Sequence, residues 1–383
     1  MNAKSPKGLI MVAGAKKPSE GQHPGGVITA TSLLLESPFA SYFTIYLIDS
    51  SAVVYPTESF LFRVKKGLRR LRQLLWICAV KRPKAALVWA AGGLSLYEKL
   101  LLCVVCRIFR VRSVMLYVDS IYLERIEASK LKRLHRFLFS IPDVLLCRSR
   151  SWVERYGTLG IPAAKCAIVK NWIESKKYVP CRTPQPKGKD IVFLFVGWLI
   201  REKGTEELVE AIRLVAPRLP EAKWILVGGG KEEEHLRTFV MTERLQGKVE
   251  IAGWKEPNQL YDYYRRANVL VLPSYGEGFP YAIIEAMSAG LPIITTPVGG
   301  IPGIFKDGEH GLLVPPRDAG KLAEAMQRMV EDWKFRDEVS KTVTEYVESN
   351  HDIKVVWPEL AQVLEGEVDA KPHTTRLARE FGC

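Results

Sequence analysis

The chain of 383 residues is longer than one hydrophobic core usually supports, so two domains of somewhat under about 200 residues each are expected. Hydrophobic residues make up 47% and charged residues 25%, a globular composition that argues against long disordered segments. The net charge of +13 is concentrated in residues 61–150, which hold twenty Lys and Arg against five Asp and Glu. This asymmetry indicates an anionic partner for the N-terminal half.

The first apolar run, GLIMVA, is too short for a signal peptide, and no uncharged apolar window of about 18 residues follows that would predict a membrane-spanning helix. The seven cysteines show no repeated spacing typical of a disulfide framework. Cys103 and Cys106 form one CxxC within an apolar run that offers no further ligands, so core packing is favoured over a metal or redox site. A reducing, cytoplasmic location is expected.

The N-terminal half alternates short β-rich runs with helical lengths, and the runs are GLIMVAGA, FTIYLID, AALVWA, SVMLYVD and DVLLCRS. This alternation predicts a parallel sheet covered by helices. A Pro-, Lys- and Gly-rich segment at residues 178–190 then interrupts the pattern and is predicted to be the interdomain linker.

Residues 60–80 place apolar side chains on one helical stripe and six Lys and Arg elsewhere, which predicts an amphipathic basic helix. Such a helix suits an anionic membrane surface. The alternative is a helix packed on its own sheet with a solvated basic face. No aromatic-interleaved RNA motif and no DNA-binding helix accompanies the charge, so we expect no nucleic-acid partner.

The second half restarts the alternation with IVFLFVG, KWILVGGG, KVEIAGW, NVLVLPS and LPIITT. Two doubly wound α/β domains are therefore predicted, at residues 1–175 and 190–350, with a helix at about 352–364 returning to the first domain. Folds of this kind bind ligands at the carboxyl ends of their strands. The function is expected in a cleft between the two domains.

Two glutamates in PSYGEGFPYAIIEAMSAGLP raise the question of what they bind. Glu277 lies in a glycine-rich turn before a helix, where free backbone N–H groups favour an anionic ligand group; an exposed glutamate in a capped turn is the alternative. Glu285 lies among small and apolar residues, where unpaired burial costs several kcal/mol. Its carboxylate therefore either reaches the solvent edge of the helix or meets hydrogen-bond donors. Those donors are the vicinal hydroxyls of a ligand such as a ribose, or a structural partner such as Lys or Arg.

The segment GEGFPYAIIEAMSAGLPIITTPVGGIP resembles the donor-site signature of GT-B retaining glycosyltransferases of family 4, with its two glutamates separated by seven residues. The resemblance covers nearly all of residues 190–330, through FLFVGWLIREKG, WILVGGGKEEEHL, VEIAGW and DGEHGLLVPPRD. It implies an α/β GT-B fold of two Rossmann-like domains facing across a cleft. It also implies an enzyme that moves a hexose-type sugar from a nucleoside diphosphate sugar to an acceptor hydroxyl.

By this resemblance Glu285 binds the ribose hydroxyls, and Glu277, with the amides of Gly278 and Phe279, binds the hydroxyls of the transferred sugar. We expect Glu277 to be essential for catalysis, because it fixes the sugar while positive charge develops at the anomeric carbon. The nucleotide sugar is a co-substrate, and no cofactor is expected.

Lys203 matches the phosphate-binding lysine of the resembled family, which stabilises the departing diphosphate. The arginine that usually follows the preceding strand is replaced by Trp198, and Arg201 is a candidate substitute. The base is expected to be recognised near Gly253 and Trp254. No D-x-D occurs in the chain, so a metal-independent reaction is expected.

In the N-terminal half the resemblance assigns Gly25 and Gly26 to a loop over the donor phosphates, followed by a helix start. Many relatives carry a histidine near the anomeric centre where this chain has Asp119. This carboxylate either contacts the sugar or takes the acceptor's proton, or else it caps a helix.

Two other interpretations are open, the first of them because of these departures from the family pattern. One is a catalytically degenerate, membrane-associated binding or scaffold subunit, and the other is a nucleotide-sugar epimerase of the same fold. For the transferase we expect an acceptor sugar, often lipid-linked in the resembled family, in cell-surface polysaccharide or glycolipid synthesis. The expected location is peripheral, at the inner face of the cell membrane.

Overall fold

The computed structural model describes residues 7–14, 26–51, 60–118, 120–182, 184–278 and 280–367. The chain forms two compact units. The first unit consists of Met1–Trp172 together with Ile353–Cys383, and the second consists of Ile173–Asp352.

A six-stranded parallel sheet in the order β2-β1-β3-β4-β5-β6 is the centre of the first unit. Its strands are β1 (Lys7–Ala13), β2 (Phe43–Asp49), β3 (Ala85–Ala90), β4 (Arg112–Tyr117), β5 (Val144–Cys147) and β6 (Cys166–Ile168). The strands β3 and β5 are buried along their whole length, as the apolar runs AALVWA and VLLC predict for strands covered on both faces.

Helices connect successive strands of this parallel sheet as crossovers. They are α1 (Gly26–Glu36), α2 (Phe39–Tyr42), α3 (Phe60–Lys81), α4 (Leu94–Ile108), α5 (Ser120–Ala128), α6 (Lys132–Phe139) and α7 (Arg150–Thr158). The helix α3 confirms the amphipathic helix predicted at residues 60–80. Cys103 and Cys106 of α4 are buried thiols, as expected for core packing.

The second unit repeats the arrangement with a parallel sheet in the order β12-β11-β10-β7-β8-β9. Its strands are β7 (Val192–Val196), β8 (Lys223–Val227), β9 (Val249–Gly253), β10 (Val269–Leu272), β11 (Ile293–Thr295) and β12 (Gly311–Leu313). Its helices are α8 (Thr205–Val215), α9 (Glu233–Thr242), α10 (Pro257–Arg266), α11 (Tyr281–Ser288), α12 (Ala319–Glu331) and α13 (Trp333–Asn350). The last helix, α14 (Ile353–Glu365), belongs to the first unit. The two sheets confirm the predicted pair of doubly wound α/β domains.

The segment predicted to be a linker, residues 178–190, lies within the second unit. Tyr178 and Cys181 are buried in its core, and the Tyr178 ring packs edge-on against Tyr261 and Tyr264 at centroid distances of 5.1 and 5.8 Å. The chain instead passes between the units at residues 172–173 and 352–353. Gln185 of the segment is also buried, and Arg182 and Gln185 donate hydrogen bonds to backbone oxygens of the second unit, so the segment is part of its fold despite a linker-like composition.

Candidate functional site

The carboxyl ends of β7 and β10 lie side by side in the middle of the second sheet. From β7 the chain continues to β8 and β9 on one side, whereas β10 leads to β11 and β12 on the other. Loops that leave neighbouring strands in opposite directions open a crevice at this switch point, where doubly wound folds bind ligands. Lys203 follows β7 in a short 3-10 turn, and Glu277 follows β10.

Lys203 and Glu277 meet at this point. The Lys203 Nζ lies 2.6 Å from Glu277 Oε1, and the Ser274 hydroxyl donates a hydrogen bond of 2.7 Å to the same oxygen. Glu277 is buried, with 6% of its surface exposed. Within the described ranges, Glu277 Oε2 has no hydrogen-bond partner. One carboxylate oxygen is thus fixed by the protein, and the other is available to accept hydrogen bonds from a ligand.

Two glycines with left-handed backbone angles allow the loops that carry Lys203 and Glu277 to lie close to neighbouring backbone. Gly204 has φ +71°, and a Cβ there would lie 2.1 Å from the carbonyl oxygen of Pro273. Gly299 has φ +56°, and a Cβ there would lie 1.8 Å from the carbonyl oxygen of Glu277. That same oxygen accepts a hydrogen bond of 2.9 Å from the backbone N–H of Gly300. Only glycine permits both the positive φ and the close approach, so the conformation of each loop requires a glycine at that position.

Glu285 has hydrogen-bond donors within the second unit. Its side chain points among Tyr264 and Tyr178 inside the second unit, where the Tyr264 hydroxyl donates a hydrogen bond of 2.8 Å to Oε2 and Tyr178 donates another. Two tyrosines of the protein thus donate to this carboxylate. The structure thus contains the partner within the protein, with phenols in place of Lys or Arg, and the ribose contact stays a prediction.

Burial raises the pKa of the Glu285 carboxyl above its ordinary value of 4.5, although the two tyrosine hydrogen bonds oppose the shift. The folded protein then holds this proton to higher pH than the unfolded chain does. The contribution of Glu285 to the free energy of unfolding is therefore present at low pH and lost as pH rises from 4.5 through the raised pKa. We expect Glu285→Gln, which does not titrate, to gain stability relative to wild type across that rise, as measured by urea unfolding at a series of pH values.

Glu210→Gln is a control of opposite sign for this experiment. A hydrogen bond from Arg213 lowers the pKa of Glu210, so wild type gains stability as pH rises through that lowered pKa toward 4.5. The pair is solvent-exposed, so the control effect is expected to be slight. A difference between Glu285→Gln and wild type that does not change with pH would contradict the account of Glu285.

Three other predicted residues of the second unit, Arg201, Gly253 and Trp254, follow or end strands at the same edge of the sheet. Arg201 is largely exposed and forms an ion pair with Glu206 at 3.3 Å. Gly253 ends β9, and the Trp254 ring lies 5.4 Å from that of Trp198. Trp198 thus packs against the expected base-binding segment.

The glycine positions and Asp119 complete the set of predicted site residues. Gly25, Asp119 and Phe279 lie outside the described residues. Gly26 is the exposed first residue of α1, and Gly278 directly follows Glu277.

Sequence reasoning missed Ser274 and Gly299. Ser274 directly follows the apolar run NVLVLP, and a buried hydroxyl at a strand end is a signal that could have been used. The role of Gly299 depends on a contact with a residue 22 positions earlier, and nothing in the segment PVGG indicates it.

The described part of the chain holds no group of three or more His, Cys, Asp and Glu suited to a metal ion. Over the same ranges, no helix is both long and apolar enough to cross a membrane.

This chain is similar to known glycosyltransferases in sequence. Residues 182–346 match the family described as glycosyl transferases group 1. WcaL of Escherichia coli, whose name assigns it to colanic acid biosynthesis as a glycosyltransferase, is 29% identical over 60% of this chain and 58% of its own length. The amylovoran biosynthesis glycosyltransferase AmsK of Erwinia amylovora is 27% identical over 60% of this chain and 57% of its own. The chain thus spans little more than half the length of these curated relatives.

Solved structures resemble nearly the whole chain. Sucrose-phosphate synthase from Thermosynechococcus elongatus aligns with a TM-score of 0.75 at 20% identity, over 95% of this chain and all of that one. Anabaena HepE in complex with UDP-glucose aligns with a TM-score of 0.70 at 16% identity, over 94% of this chain and all of that one. These likenesses show the fold, which is the GT-B fold of two doubly wound domains.

Proposed function

We propose that this protein is a glycosyltransferase that moves a hexose-type sugar from a nucleoside diphosphate sugar to an acceptor hydroxyl, in the synthesis of a cell-surface polysaccharide or glycolipid. The observation that carries the proposal is the contact between Lys203 and Glu277 at the switch point of the second sheet. The match of residues 182–346 to glycosyl transferases group 1 supports it, as do the names of WcaL and AmsK and the UDP-glucose bound by HepE.

In this proposal Lys203 supplies fixed positive charge to the diphosphate. Its side chain is 22% exposed, so the ammonium group can reach a ligand while one of its protons is shared with Glu277. A cation that is already held in place stabilises the departing diphosphate without the cost of reorganisation during the reaction. No carboxylate-bound metal ion is required for this role, and the reaction is proposed to be metal-independent.

Glu277 orients the transferred sugar. Its Oε1 is fixed by Lys203 and Ser274, so its Oε2 has a defined direction in which to accept hydrogen bonds from sugar hydroxyls. The buried carboxylate also stabilises positive charge that develops at the anomeric carbon. We propose retention of configuration, with Gly25, Gly26, Phe279 and Asp119 in the roles that the family resemblance assigns.

The lysine can be tested by ligand binding. We expect Lys203→Gln, which keeps a hydrogen-bond donor for Glu277 and removes the charge, to weaken nucleoside diphosphate binding about 10- to 100-fold, as for the loss of a charged hydrogen bond. Titration calorimetry with UDP, GDP and ADP in the presence of EDTA measures this effect and identifies the preferred base. Arg201→Gln serves as the matched control and is expected to have a smaller effect, because Arg201 is exposed and bound to Glu206.

Four outcomes would count against parts of this proposal. Binding that disappears with EDTA would contradict the metal-independent reaction. Equal affinity in wild type and Lys203→Gln would remove the lysine from the site. Conversion of the sugar nucleotide without any acceptor would favour the epimerase, and binding without turnover would favour the scaffold subunit.

A further inference from the structure

Exposed apolar side chains are concentrated on one part of the first unit. Among the described residues, 21 large hydrophobic side chains are exposed, and 16 of them lie between residues 61 and 137. The most exposed include Leu61 at 79%, Ile108 at 72% and Phe137 at 66%. Single exposed apolar residues are normal on a protein surface, but a cluster of this kind indicates an interaction site.

Fourteen of these side chains belong to α3, α4 and α6, which cover the same face of the first sheet, and the other two, Phe109 and Leu131, flank α4 and α6. Their inward residues share two apolar clusters with the strands: Leu74 of α3 and Cys103 of α4 pack in one, and Leu100 of α4 and Phe139 of α6 in the other. Right-handed crossovers from β2 to β5 place these helices on one side of the sheet. Their opposite sides therefore point outward together and form what we call the α3–α4–α6 surface.

Side-chain contacts join the three helices. Arg70 of α3 lies 2.5 Å from Glu98 of α4, and the Tyr97 hydroxyl of α4 lies 3.5 Å from His135 Nε2 of α6. The exposed apolar residues of α4 recur at intervals of three and four, so they form a straight stripe on the side away from the sheet. That stripe consists of Leu94, Tyr97, Leu101, Val104 and Ile108.

The charged residues of this surface are basic, with one exception. The helix α3 carries seven Lys and Arg and no acidic residue, and α6 carries three and none. The one acidic residue of the three helices is Glu98, which is paired with Arg70 and with Lys99 at 3.0 Å. Contact with a second copy through this surface would oppose like charges, whereas an anionic lipid bilayer supplies both an apolar phase and negative headgroups.

We propose that the α3–α4–α6 surface docks the first unit onto an anionic lipid bilayer, with its apolar side chains among the acyl chains and its basic side chains at the headgroups. The surface is wider than the single helix that the sequence indicates. Exposed cations such as Lys65, Arg69 and Arg72 lie between the apolar positions of α3, as an interfacial helix requires. The proposal does not depend on the sugar-transfer reaction.

Vesicle co-sedimentation of the full chain tests this proposal. We expect binding to vesicles of phosphatidylcholine mixed with an equal amount of phosphatidylglycerol, weaker binding at high salt, and little binding to phosphatidylcholine alone. A charge set, Lys65→Gln with Arg69→Gln and Arg72→Gln, should lower the partition about 100-fold, which corresponds to ~1 kcal/mol for each cation.

An apolar set tests the second component with one change on each helix. Leu68→Gln, Ile108→Gln and Phe137→Gln together should lower the partition at least about tenfold, since each residue loses apolar burial in the bilayer. All three side chains are exposed, so the fold should be retained, as melting temperatures would verify.

Matched controls on the second unit should leave the partition unchanged. The apolar control combines Leu214→Gln with Met241→Gln, and the charge control combines Arg218→Gln, Lys223→Gln and Lys334→Gln; all five residues are exposed. Failure to bind the anionic vesicles, or binding that neither set reduces, would overturn the proposal. A dimer in sedimentation equilibrium that the apolar set dissociates, without vesicle binding, would assign the surface to a second copy instead.

Discussion

Glu277→Gln is expected to lower sugar transfer on the order of a hundredfold or more, a loss comparable to removing one preorganised electrostatic contact from a transition state. The substitution keeps the shape of the side chain and removes the negative charge. It leaves the Lys203 ammonium without its carboxylate partner at 2.6 Å. It also replaces one of the two acceptor oxygens with an amide NH2 group, which only donates hydrogen bonds. The measurement is turnover of the nucleotide sugar that the calorimetric screen identifies.

Separate kinetic constants distinguish the role of Glu277 from a purely structural one. If the carboxylate acts mainly on developing charge, kcat falls while nucleoside diphosphate affinity changes little. Glu324→Gln, an exposed substitution on α12, is the control and should retain full turnover. Wild-type kcat in Glu277→Gln would contradict the assigned role.

Gly299→Ala is expected to have the second large effect, on stability and on turnover. The left-handed backbone alone costs an alanine about 1–2 kcal/mol. In addition, the new Cβ would lie 1.8 Å from the Glu277 carbonyl oxygen, and relieving such an overlap costs about 1–3 kcal/mol more. The relief moves the Glu277 loop away from Lys203, so transfer should fall together with the free energy of unfolding.

Gly308→Ala provides the matched control. Gly308 also has a positive φ, +79°, but a Cβ there would meet nothing within 4 Å. Gly308→Ala should therefore lose only the stability that a left-handed backbone costs an alanine, and it should retain turnover. Urea unfolding and transfer assays on both variants measure the difference, and equal losses in the two would contradict the close-contact explanation.

Much of the fold was predictable because each strand carries its own signal. Runs such as AALVWA and NVLVLPS are apolar and β-branched or aromatic, and turns and helical lengths separate them. The exact domain boundary was not predictable, because it depends on tertiary burial of Tyr178 and Cys181 within a segment whose composition is typical of a linker.

The candidate site was predictable in part. The motif indicated Glu277 and Lys203, and the structure brings them into contact although they are 74 positions apart. The position of Glu285 on an apolar helix showed that it needs donors, but it did not identify them. Those donors, Tyr264 and Tyr178, come from separate elements, so only the packing of α10 and the 175–181 turn against α11 reveals them.

A crystal structure of the chain with a bound nucleoside diphosphate tests the central claim most directly, namely that the switch point of the second sheet is the donor site. We predict diphosphate oxygens within hydrogen-bonding distance of Lys203 Nζ, beside Glu277 and the start of α11. Diphosphate bound elsewhere on the chain, with the Lys203–Glu277 pair unchanged and out of contact with it, would contradict the account.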